Sequence, residues 1–86
     1  MKVLNKPIEM IAHNKPDGSI RPLRFRIMED GELKVLKVDK VFTSSVAKIE
    51  GIPTYVFSCM VASNGINRMC EIRYDMNNTR WKLYKM

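Results

Sequence analysis

The chain holds one histidine, one tryptophan, two cysteines and four glycines among 86 residues. Each scarcity closes off a class of chemistry. His13 lies among Asn14, Asp17 and Ser19 in a stretch that reads as a turn, with no second strong ligand near it in sequence. It reads as a solvated loop histidine rather than a catalytic base. A Ser-His-Asp triad would need three groups that nothing in the spacing brings together. Two cysteines make no zinc set by themselves. The glycines stand singly at turns, so no phosphate-cradling loop is present. No apolar stretch approaches the ~20 residues of a membrane helix. Met1 to Pro7 lacks the apolar segment of a secretory signal. With so few cysteines, the expectation is a protein of the reducing cytoplasm.

What is present is a basic, core-forming chain. Fifteen lysines and arginines oppose nine acids, a net charge of +6, and 45% of residues are hydrophobic. That is enough apolar matter for one modest core, and disorder is not expected. Residues 1–43 carry nine basic and six acidic side chains and residues 44–86 carry six and three. The excess is therefore spread over the surface rather than gathered in a tail. Such charge serves solubility; its functional reading is a polyanion, nucleic acid above all.

Turn residues divide the chain into strands. With Asn64-Gly65 as a type I′ turn, Tyr55 falls opposite Tyr74, Phe57 opposite Ile72 and Cys59 opposite Cys70. A slip of one would set Phe57 against Glu71. With a turn at Asn77-Asn78, Tyr74 meets Trp81, Ile72 meets Leu83 and Asp75 meets Arg80. Both registers put the same residues on one core face. Earlier in the chain, Lys6 to Ala12 reads as a first strand. Arg21 to Met28 alternates, with Leu23, Phe25 and Ile27 inward and Arg24 and Arg26 outward. A three-residue loop at Glu29-Asp30-Gly31 would pair Ile27 with Leu33 and Phe25 with Val35. A two-residue Asp30-Gly31 turn would pair Phe25 with Leu36 instead; the first register is preferred. The apolar phase then shifts between Val35 and Val38, the mark of a bulge or bend that lets a small sheet curl. Thr43 to Pro53 reads as a long link with room for one helical turn. The expected fold is a single all-β domain over 1–86: an antiparallel meander of five or six strands, as a strongly twisted sheet or a small SH3-like barrel.

Four groups of residues bear on function. Cys59 and Cys70 should be cross-strand neighbours at a hydrogen-bonded pair, where a strain-free disulfide is disfavoured; two buried, reduced thiols are expected. Mid-strand burial would raise a thiol pKa, against Cys-His catalysis. Glu29, Asp30 and Glu32 crowd a hairpin tip, which turn polarity explains. Arg24 and Arg26 share an outward face, and the preferred register puts Lys34 beside Arg26. These three form the candidate nucleic-acid stripe, since crowded like charges gain from a polyanion; the same charges also serve as a solvated edge that resists aggregation. Exposed aromatics for base stacking are missing, with Tyr84 alone off the core face. The second strand face, with Val56, Met60 and Met69, is too apolar for open solvent, so cover by another part of the chain or by a partner is expected. It supports the alternative of a protein-interaction domain, with self-association as one form. No enzyme activity, cofactor, metal or small-molecule substrate is expected.

The pattern Pro22-x-x-Phe25-x-Ile27, Gly31, Val35-x-x-Val38, Tyr55-x-Phe57, Gly65, Glu71-Ile72-x-Tyr74-Asp75 and Trp81-x-Leu83 resembles a bacterial family of small β-domains of unknown function. The resemblance covers Arg21 to Tyr84. Ile27 stands where that family tends to have Trp, and the approach to Gly31 is longer. The resemblance implies no activity. It implies a bacterial setting in which related domains accompany DNA-repair polymerases, and it carries over no binding residue.

Overall fold

A computed structural model describes residues 1–86 as six strands and no helix: β1 Val3–Asn14, β2 Ile20–Glu29, β3 Glu32–Ile49, β4 Ile52–Ser63, β5 Ile66–Asp75 and β6 Arg80–Lys85. They pair antiparallel in chain order, and β1 returns to β6 to close a barrel. No helix is long and apolar enough to cross a membrane.

Three two-residue turns set the registers. Asp30-Gly31, Glu50-Gly51 and Asn64-Gly65 each hold both residues at positive φ, near 52° to 53° then 75° to 80°. That is the type I′ signature, whose twist matches the flanking strands. Around Asn64-Gly65 the pairs are those read from sequence: Tyr55 with Tyr74, Phe57 with Ile72, Cys59 with Cys70. The β5–β6 pairs Tyr74 with Trp81, Ile72 with Leu83 and Asp75 with Arg80 also form.

The β2–β3 hairpin takes the other register. Glu29 pairs with Glu32 and Phe25 with Leu36, so the turn is the two-residue Asp30-Gly31. Leu36 and Val38 are buried, whereas Leu33 and Val35 stay exposed. Both pairs alternate and both are apolar, so alternation alone does not choose between them. Val61 of β4, fully buried opposite Val38, does. The phase change is real but lies further on, in two single-residue bulges of β3 at Asp39 and Phe42. The stretch Thr43–Pro53 is not a helical link: β3 runs through it to Ile49 and turns at Glu50-Gly51.

Further bulges bend the sheet into a barrel. Leu23 is the extra residue of β2, which leaves Pro22 buried and Leu23 40% exposed, the reverse of the inward Leu23 expected. Asn5, at φ 48°, is the extra residue of β1, and Tyr84 that of β6. The core gathers Phe25, Ile27, Leu36, Val38, Phe57, Cys59, Val61, Cys70, Ile72, Leu83 and Met86. Burying each aliphatic chain contributes about 1.5–3 kcal/mol before the entropy of ordering it is set against it. Trp81 closes one end, stacked on Phe57 with centroids 5.8 Å apart and tilted against Tyr74 at 4.6 Å.

Candidate nucleic-acid interface

The outer face of β1–β2–β3 carries Ile11 from β1, Arg24, Arg26 and Met28 from β2, and Leu33, Val35 and Lys37 from β3. Arg24 and Arg26 point outward, as expected. Lys34 does not join them. In the observed register Arg26 lies opposite Val35, and Lys34 lies opposite the buried Ile27. Lys34 therefore belongs to the inward row, and its ammonium reaches the rim to meet Glu29 Oε1 at 3.2 Å. The one-residue change of register moved it to the other face. A long side chain tolerates this by keeping its stem on the core and its charge in water.

Arg26 is also not free. Its guanidinium meets Glu9, its cross-strand neighbour on β1, with Nε donating to Oε2 at 2.9 Å and Nη2 to the same oxygen. Arg24 is different. It sits between Ile11 and Lys37, and neither Arg24 nor Lys37 has an acid within ion-pair distance. A groove of about 750 Å³ continues from this pair, lined by Arg21, Leu23, Arg24, Lys37, Asp39 and Asn64 among others. Arg21 also lacks an ion pair, so the groove sets three unpaired cations against one carboxylate, Asp39. Lys37 was missed because the preferred register never placed it beside Arg24; the two-residue turn at Asp30-Gly31 does so directly. The bulged Leu23 and the exposed Ile11 and Val35 give the groove an apolar floor that alternation did not suggest.

Tyr84 has one ring face taken, because the Arg73 guanidinium lies over its ring at 3.3 Å to the centroid. Glu71 Oε2 holds that guanidinium, accepting from Nε at 2.8 Å. Val56, Met60 and Met69 do share one outer face: Met60 lies opposite Met69, and Val56 lies opposite Arg73. Met60 and Val56 are half-buried and Met69 is exposed.

His13 lies at the end of β1 opposite Arg21, not in a turn. No three His, Cys, Asp or Glu side chains converge as a metal-binding group. Cys59 and Cys70 are unbonded, adjacent and without solvent exposure. The contact with Cys59, and then burial, push the Cys70 thiol up, so the pair resists full ionisation. Comparison with known proteins gave no match to any family model, curated sequence or solved structure.

Proposed function

We propose that this domain is a non-catalytic binding module for nucleic acid, and that the groove between β2 and β3 receives the phosphate backbone. One observation carries the reading: Arg24 and Lys37 are held directly opposite each other on a rigid sheet, unpaired, with Arg21 beside the same groove. Like charges opposed across strands cost stability; a phosphate between them relieves the repulsion and releases counterions. Binding of this kind follows charge and shape and carries no base specificity. The resemblance to small bacterial domains that accompany repair polymerases agrees with it, as does the cytoplasmic setting expected from the sequence.

Anisotropy of a labelled duplex, read across salt concentrations, tests it. Three phosphates neutralised give a log–log slope of about −3, and Arg24→Ala with Lys37→Ala should reduce that slope by about two. Absence of binding at low salt would overturn the reading. A second reading, docking of a partner protein on the outer face of β4–β5, rests on the clustering of Val56, Met60 and Met69. Its binding would be insensitive to salt and lost on Met60→Lys.

A further inference from the structure

Barrel closure leaves one long strand edge open. β3 pairs with β2 only from Glu32 to Lys37, while its pairing with β4 continues to Ile49. Beyond Lys37 a cleft of about 300 Å³, lined by Arg21, Pro22, Val41, Ser44 and Phe57 among others, separates β3 from β2. The Glu50-Gly51 turn decides which main-chain groups face the open side. A two-residue turn makes its flanking pair, here Ile49 and Ile52, a hydrogen-bonded one, and the pair type alternates from there. Ile49, Ala47 and Ser45 thus direct their N–H and C=O groups to β4. Lys48, Val46 and Ser44 direct theirs outward, where no strand is paired. Pro53 agrees with this phase: it lies opposite Lys48, at a position that needs no N–H for the β3–β4 ladder.

Natural sheets block such edges with charge, proline or bulges. Here Val41 to Ala47 carries no charge. The bulges lie at Asp39 and Phe42, outside Ser44–Lys48, and Val46 is 58% exposed. We propose that this edge is a self-association site. β3 of a second copy pairs antiparallel along it about a two-fold axis, with Val46 opposite Val46 of that copy. A two-fold axis normal to the sheet must set some residue opposite itself, which leaves few registers. Centred on Ser44, it opposes Lys40 to Lys48 of the second copy. Centred on Ser45, it spends a pair on the bulged Phe42. Centred on Val46, it opposes Ser44 to Lys48 and Ser45 to Ala47, brings no like charges together, and uses all three outward-facing residues of each copy. A second copy also meets the edge as a strand already held by its own β4, so no flexible segment has to be ordered.

Sedimentation velocity over a wide concentration range tests this. The wild type should show a concentration-dependent dimer. Val46→Lys puts like charges on the axis and should weaken the dimer at least about tenfold, with the far-ultraviolet circular dichroism unchanged. Ser44→Glu faces Lys48 of the second copy twice and should tighten it by about 2- to 30-fold at low salt. Adding Lys48→Glu should cancel that gain. A wild type that stays monomeric to its solubility limit would overturn the proposal. So would a dimer indifferent to Val46→Lys and Ser44→Glu but dissociated by Met60→Lys, which would place the contact on the outer face of β4–β5.

Discussion

At the scale of single residues, Asp75 does something other than its cross-strand position suggests. Directly opposite Arg80, it forms no ion pair there. Its Oδ1 accepts from the main-chain N–H groups of Asn77 at 2.9 Å and Asn78 at 3.0 Å, and its Oδ2 accepts from Asn78 Nδ2 at 3.0 Å. These bonds, those to Asn78 foremost, hold the carboxyl below the ordinary aspartate value of 3.8. A depressed carboxylate stabilises the fold above the unfolded value and loses that contribution as pH falls through the folded one. Asp75→Asn should therefore lower the melting temperature at neutral pH, and the difference should vanish on acidification to below the folded value. Melting curves across pH check this. Trp81 is a different case. It is half-buried, but its ring bridges Phe57 and Tyr74. Trp81→Ala should cost about 3 kcal/mol, the lower end for aromatic truncation, since part of the ring is already wet; denaturant midpoints measure it. The Cys59–Cys70 pair should be silent to a thiol reagent in the native protein and yield two groups on unfolding, because neither sulfur reaches solvent.

At the scale of elements, the hairpins show which parts of the fold could be read from sequence. Asn64-Gly65 and the faces beside it left β4–β5 one register, since any slip buries Glu71 or Arg73. Glu29-Asp30-Gly31 left β2–β3 two registers, because Leu33, Val35, Leu36 and Val38 are all apolar and only β4 decides between them. The cost of that ambiguity fell on the candidate site: Lys34 changed faces and Lys37 took its place beside Arg24. The second half of β3 was harder still. Thr43, Ser44, Ser45 and Ala47 are small and polar or weakly apolar, bury little, and become strand only because β4 supplies a ladder. Gly51 was the available signal, as the second residue of a turn of the same kind as the other two. At Gly31 and Gly51 an added Cβ would meet no atom within 4 Å, so the constraint is backbone conformation alone. Gly31→Ala should destabilise by about 1–2 kcal/mol, the cost of a left-handed non-glycine residue, while leaving the β2–β3 cross-strand contacts visible by NMR.

At the scale of the whole molecule, every strand pair but one joins neighbours in sequence; the exception, β1 with β6, spans nearly the full chain. Closure must wait until the five hairpins bring the first and last strands together. Long-range antiparallel closure of this kind places folding in the millisecond-to-second range typical of small β-barrels. Ile8→Ala, at the β1–β6 seam beside Trp81, should therefore mainly accelerate unfolding if closure comes after the transition state. Stopped-flow chevrons of the variant decide that.

The same seam has a mechanical consequence. Lys2 and Met86 exchange a pair of main-chain hydrogen bonds at 3.0 Å each, so both ends of the chain leave from one end of the β1–β6 ladder. Force applied through the termini loads those bonds one after another, as in opening a zipper. Anchored instead at Asn14 and Met86, the same ladder is loaded in shear, and many bonds must fail together. The barrel should thus rupture at distinctly lower force through its own ends than through Asn14 and Met86, when two such tethered forms are compared by single-molecule pulling. A tension carried through its termini would open this domain at its closing seam first and free β6.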